Sequence, residues 1–229
     1  MDIQNQYFKS AFSVDNVIFG FDEKELKVLL IKRGEDPFHG FWALPGDLVY
    51  PDEDLRDAPM RVLTQLTGIE GMFLEQVKTF GKQDRHPLGR VITIAYLSLV
   101  NVHNVKLKPS SFAQIVEWKN VSDIQQLAFD HNEILADCLN SLKQSVQQRP
   151  IGFELLANEF TLSDMQDLYE AILDKALDKR NFRKKLLSMG ILVDTGEFQK
   201  GVAHRPARLY RFDQDKYEYL KLNGFNFDI

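Results

Sequence analysis

The chain has a single cysteine among its 229 residues, no long apolar run and no large excess of either charge. With Cys138 alone an internal disulfide framework is impossible, and a reducing compartment is expected. Ile134, Leu135, Leu139 and Leu142 recur around it at helical spacing, so Cys138 reads as a small buried hydrophobe rather than a nucleophile. No apolar segment approaches the roughly 20 residues of a membrane span. The opening MDIQNQYFKSAF lacks the basic start and apolar stretch of a signal peptide. A cytoplasmic protein with no membrane partner is therefore expected. His39, His86 and His103 show no metal-ligand spacing, so neither a histidine-based metal site nor a cofactor is expected. Internal repeats and low-complexity tracts are absent too.

What is present is ordinary for a folded protein. Apolar residues make up 44% and charged residues 27% of a chain longer than the usual single domain, so two domains with real cores are expected. Residues 13–33 read as two strands around a polar turn at 22–25, and RVITIAYLSLV at 90–100 as a central strand covered on both faces. Between them, residues 54–67 place Leu55, Ala58, Val62, Leu63 and Leu66 at helical spacing, with Pro59 in the first turn and Gly68 as a stop. A second helix, FDHNEILADCLNSLKQSVQQ, starts near Phe129 with Asp130 as candidate cap and closes the first domain. The polar run QQRP, ending in Pro150, is the expected linker, giving domains at 1–148 and 149–229.

The net charge of −5 conceals a basic patch. Residues 175–211 hold ten Lys and Arg against Asp178, Asp194 and Glu197. Just before them, Thr161 or Ser163 can cap a helix whose Met165, Leu168, Ala171 and Ile172 form one apolar face. Asp178 caps the next helix, which Gly190 ends. On that helix Phe182, Leu186 and Met189 fall in one arc, with Arg180, Asn181, Arg183, Lys184 and Ser188 on the other side. This is a helix-turn-helix layout, one helix bracing and the next exposing donors to a DNA groove. Strand-like runs at 191–193 and 207–212 flank a basic loop that reads as a wing. Lys179, Arg180, Asn181, Arg183 and Lys184 are the candidates for base edges and flanking phosphates. Lys200, His204, Arg205 and Arg208 are the wing candidates for phosphates and the minor groove. The expected partner is a double-stranded DNA operator.

The stretch GDLVYPDEDLRDAPMRVLTQLTGI, residues 46–69, resembles the Nudix box, the signature of enzymes that cleave nucleoside diphosphates linked to another moiety. The resemblance implies a glycine, a glutamate six positions on, then Arg-Glu-apolar-x-Glu-Glu-x-Gly-apolar. Glu53, Arg61, Leu63, Gly68 and Ile69 match, while Asp47 takes the glycine position just after Gly46. The three helix glutamates do not match, because Val62, Gln65 and Leu66 stand there. Three carboxylates on one helix face would offer hard oxygen ligands to magnesium, which valine, leucine and a neutral amide do not. Hydrolysis by the usual route is therefore not expected, and neither is a metal. The scaffold can still bind a small effector, and the candidate lining groups are Lys32, Arg33, Trp42, Arg85, His86 and Arg90.

Together with LAFDHNEILADCL, FTLSDMQDLYEAIL, LDKRNFRKKLL and HRPARLYRF, the degenerate box makes nearly the whole chain resemble the Nudix-related transcriptional regulator family. The resemblance implies an α+β chain: an N-terminal Nudix-like α/β/α sandwich with a mixed sheet and a C-terminal winged helix-turn-helix. It also implies a homodimer and operator binding relieved by a small ligand. Family members tied to NAD metabolism respond to ADP-ribose-like nucleotides, and a sugar-utilisation branch responds to pentoses such as arabinose. Because the magnesium bridge to a pyrophosphate would be missing, a small sugar, with L-arabinose first, is the expected effector. An ADP-ribose-responsive regulator, a divergent hydrolase that depends on Glu53, and an adaptor without salt-dependent DNA binding are the rival readings.

Overall fold

A computed structural model describes residues 10–202 and 205–229. The chain forms two compact units, Met1–Gly20 with Lys27–Ser141 and Phe21–Leu26 with Leu142–Ile229.

The first unit is built on seven strands: β1 (Ala11–Asp22), β2 (Glu25–Arg33), β3 (Trp42–Ala43), β4 (Gly46–Leu48), β5 (Glu75–Phe80), β6 (Val91–Asn101) and β7 (Ala113–Asn120). Their order is β3-β2-β1-β6-β5, with β4 added to β1 and β7 to β2. Strand side chains alternate between faces. Val14 and Ile18 of β1 join Leu29 and Ile31 of β2 in one core, against Ala58, Val62, Leu63 and Leu66 of helix α1 (Ala58–Thr67). Val17, Phe19, Val28 and Leu30, on the opposite face, are just as buried. Helix α2 (His131–Gln148) covers that side, burying Ile134 and Cys138 and pairing Asp137 with Lys78 of β5 at 2.5 Å. Both faces are thus covered, which is why β1 and β6 are near-continuous apolar runs. Burial pushes the Cys138 thiol up to about 12, as suits a core side chain.

Helix α1 starts later than its periodicity predicts. Asp54 accepts bonds from the Arg56 backbone N–H and guanidinium, holding residues 54–57 in turns and leaving Leu55 partly exposed instead of in the core. Gly68 ends the helix with φ 76°, its N–H donating to Thr64 O. A Cβ there would also lie 2.9 Å from Lys108 Cβ, so glycine is required twice over.

Helix α2 continues to Gln148, and the sequence break around Pro150 becomes a 3-10 turn, Pro150–Leu155, rather than an extended linker. The division between the units falls earlier, inside α2. The second unit contains α3 (Leu162–Leu173), α4 (Lys179–Ser188), the antiparallel pair β8 (Leu192–Phe198) and β9 (Arg208–Phe212), and α5 (Gln214–Leu222). Phe160 bridges Tyr210 through two backbone bonds of 3.0 and 2.8 Å and so extends the β8–β9 ribbon. The terminal helix α5 was not anticipated. Asp213 caps it by accepting from Lys216 N, and its Tyr217 packs with Ile191 and Phe227. Among the described residues no helix is long and apolar enough to cross a membrane.

Candidate functional site

In the first unit a cleft of about 370 Å³ opens above the β1–β4 edge. Its wall begins with Arg33, placed at the end of β2 where the pairing with β7 shifts register. The Arg33 guanidinium lies over the rings of Phe112 and Phe129, 5.0 and 5.1 Å from their centroids, and its Nε donates to Pro37 O at 2.8 Å. The terminal nitrogens therefore stay available while the group is held flat. His86 stacks on Phe129 with centroids 5.1 Å apart and planes 12° apart. Burial, with Arg85 and Arg33 adding to it, holds the His86 imidazole below its ordinary range, so it presents a neutral aromatic face at pH 7. Opposite lies Asp47, whose carboxyl burial pushes up even though Leu48 N–H and the nearby Arg61 and Arg33 work against the shift.

The floor is an ionic cluster that sequence spacing could not show. Arg85, although expected to contact the effector directly, is buried and gives both its Nε and Nη2 to Asp130, at 2.8 and 2.7 Å. The same Nη2 lies 3.5 Å from Asp15. Asp15 also accepts from Thr93 Oγ1 at 2.7 Å and lies 3.3 Å from His131 Nε2. His131 Nδ1 accepts the Leu44 N–H at 2.9 Å, so the ring proton sits on Nε2 and is directed to Asp15. Asp130, expected as a helix cap, spends its carboxylate on Arg85. Gly46 completes the floor, because a Cβ there would fall 1.9 Å from an Asp15 carboxylate oxygen.

Of the six residues expected to line an effector cleft, the structure brings Arg33, Arg85 and His86 together around this cavity. Lys32 and Trp42 face each other in the β2–β3 pairing, and the Trp42 ring is covered by Lys119, 4.5 Å from its centroid. Neither lines the cleft. Arg90 lies in an adjoining open depression with Gln83 and Asp84, its Nη1 donating to Gly81 O. Asp15, Asp47, Phe112, Phe129 and His131 were missed as lining groups, and no local motif marks them.

The box itself has become a clamp. Glu53 takes two bonds from Arg61, at 2.6 and 2.7 Å, and one from Tyr50 N. Arg61 further donates to Leu48 O and Gln65 Oε1 and lies 3.9 Å from the Tyr50 ring centroid. Val62 and Leu66 are buried in the α1 core. These residues do not fit the magnesium ion that the box implies in hydrolases. The one matching carboxylate is neutralised by Arg61, and two of the remaining positions point into the core.

The second unit presents the basic head. Thr161 caps α3 in a full capping box with Asp164. Glu170 accepts Leu177 N–H and Gln166 Nε2, bracing the turn into α4. Asp178 caps α4 by accepting from Asn181 N, and Phe182 and Leu186 face inward. Lys179, Arg180, Asn181 and Lys184 are exposed along the outer face. Arg183 differs from expectation. It is half-buried and turned back to Ser163, donating through Nη2 at 2.7 Å, and so ties α4 to α3. In the wing, Lys200 lies 3.5 Å from Glu197, and Arg208 pairs with Asp194 and covers Phe198. Arg205 is exposed. His204 lies outside the described residues.

A Nudix sandwich with a cleft lined by charged and aromatic side chains, followed by a helix-turn-helix with a β-ribbon wing, defines a two-part class of protein. Residues 9–138 match the NUDIX domain family, and residues 152–212 match the NrtR DNA-binding winged helix domain. The ADPR responsive transcriptional repressor NtrR of Acinetobacter baylyi is 33% identical over 93% of this chain and 88% of its own length. The crystal structure of Shewanella oneidensis NrtR complexed with a 27mer DNA superposes with a TM-score of 0.76 at 29% identity, covering 94% of this chain and 97% of that one. The NUDIX domain of the same protein, complexed with ADP ribose, superposes with a TM-score of 0.56 at 29% identity, covering 62% and 94%. The chain belongs to the Nudix-related transcriptional regulator family.

Proposed function

We propose that the chain is a transcriptional repressor that grips operator DNA with α4 and the β8–β9 wing and releases it when an ADP-ribose-type nucleotide fills the cleft. The observation that carries this reading is the contrast at the box: two of its metal positions, Val62 and Leu66, are core, while the cleft holds the Arg33 guanidinium over aromatic rings and the Asp47 carboxylate. Arg33 can meet a pyrophosphate through its free nitrogens, and the His86–Phe129 pair offers a stacking surface for a base. That removes the reason for preferring a pentose, which rested on the missing magnesium bridge alone. Two of the similar proteins favour the same choice: the Acinetobacter baylyi repressor is described as ADPR responsive, and the NUDIX domain of the Shewanella oneidensis protein is described in complex with ADP ribose. Catalysis is not part of the proposed function, because no carboxylate cluster remains on α1 to hold a metal.

Thermal unfolding with and without candidate ligands tests this. At about a hundredfold excess over its dissociation constant, a ligand selective for the folded state contributes about 2.7 kcal/mol. ADP-ribose is expected to raise Tm by several degrees, Arg33→Ala to remove the shift, and ribose and L-arabinose to do nothing. A shift with L-arabinose and none with ADP-ribose would return the effector to the sugars. Magnesium-dependent cleavage of ADP-ribose abolished by Glu53→Ala would make the chain an enzyme.

A further inference from the structure

Helix α4 carries an apolar side chain where its outer face is otherwise polar. With about 100° of turn per residue, Arg180, Lys184 and Leu187 form one ridge on the side away from the buried Phe182 and Leu186. Leu187 is 44% exposed there. Its neighbours do not compete for the same contact. Ser188 Oγ donates to Lys185 O, and Lys185 Nζ pairs with Asp228 at 3.0 Å. The cations on the ridge commit this surface to a polyanion, and a groove that receives Arg180 and Lys184 receives Leu187 with them.

Leucine offers neither donor nor acceptor, so it cannot read a hydrogen-bonding pattern. In the major groove the apolar group displayed by a standard base pair is the thymine C5-methyl. We propose that Leu187 is a specificity-determining residue that packs on a thymine methyl of the operator, while Arg180 and Lys184 on the same ridge hold guanine edges or phosphates. The proposal rests on the DNA-binding reading above and adds to it a base preference set by an uncharged residue.

The test selects random-core duplexes with the wild-type chain, with Leu187→Ala and with Leu187→Met. The selected sites are then resynthesised with deoxyuridine replacing each thymine in turn, which deletes the methyl and keeps every hydrogen-bonding group. One thymine position specified by the wild type is expected to become degenerate for Leu187→Ala and to persist for Leu187→Met. Deoxyuridine there should weaken wild-type binding about fourfold, the order set by one buried methyl, and leave Leu187→Ala unchanged. Identical motifs from wild type and Leu187→Ala, or equal deoxyuridine losses with both, would overturn the proposal. So would an altered oligomeric state of Leu187→Ala with an unaltered motif, which would assign the residue to a contact between copies. Failure of the wild type to select any duplex would remove the DNA-binding reading as well, whereas selection of a Leu187-independent motif would remove this inference alone.

Discussion

At the scale of single residues, the floor of the cleft is built from charges paired with one another. Burial pushes the Asp15 carboxyl upward, but the bonds from His131 and Thr93 and the nearby Arg85 guanidinium outweigh it, so the group is held below its ordinary range. Its folded-state pKa is thus lower than in the unfolded chain. The stability this adds is complete above the unfolded carboxylate range, about pH 4, and is lost as pH falls through the folded value. Asp15→Asn is expected to unfold more readily at pH 7 in urea and to lose less further stability than wild type between about pH 5 and pH 3. A wild-type acid slope in the variant would show that Asp15 titrates normally. That these groups meet was not legible in the sequence, because Asp15, Thr93 and His131 come together only when β1 and β6 become neighbours and α2 begins beside them. Arg85 and His86 were both expected as lining groups, and the fold gives them different work: one is locked in the floor, the other stacks on the wall.

At the scale of elements, α1 is tied both to the loop before it and to the sheet beneath it. The Glu53–Arg61 pair still fixes the loop to the helix, while Val62 and Leu66 hold the helix to the sheet. Restoring a box glutamate should therefore have opposite outcomes at neighbouring positions. Val62→Glu buries a carboxylate in the core and is expected to cost several kcal/mol of unfolding free energy, whereas Gln65→Glu, exposed and beside Arg61, should fall within about 0.5 kcal/mol of wild type. Equal denaturant midpoints for the two variants would contradict the placement of α1. Helical periodicity made this division legible in advance. Local signals also gave Asp178 as a cap, left the other cap between Thr161 and Ser163, of which Thr161 is the one used, and gave the inward Phe182 and Leu186. Periodicity failed for α5, whose mixed apolar and charged residues have no clear stripe, and for the short strands β3 and β4, which exist only through their pairing to β2 and β1. Arg183 was misplaced for a related reason: helical angle alone put it outward, and Ser163 of α3 draws it back.

At the scale of the whole molecule, a net charge of −5 and a basic head coexist, so electrostatic attraction to DNA comes from one region rather than from the total. Each lost phosphate contact should lower the slope of log affinity against log salt by about one. Lys184→Ala is expected to do so in a salt titration of duplex binding, and Lys119→Ala, on the first unit, to leave the slope unchanged. Equal slopes for all three proteins would remove Lys184 from the interface. Helix α2 contributes residues to both units. Its first residue, His131, meets Asp15 in the cleft floor, and its last turn is bonded into the second unit, with Val146 O accepting from Tyr169 Oη and Gln147 O from Ile229 N. Tyr169 in turn packs on Phe182 of α4, with ring centroids 5.4 Å apart. A ligand shifts DNA affinity only to the extent that it binds the DNA-free state better.

The most direct test follows the anisotropy of a labelled operator duplex, held by the protein at fixed salt, as ADP-ribose is added. The account predicts release of the duplex for the wild type, retention for Arg33→Ala, and ADP-ribose recovered uncleaved in the presence of magnesium. Duplex that stays bound at ADP-ribose concentrations that saturate the thermal shift, or release that occurs only as ADP-ribose is hydrolysed, would contradict it.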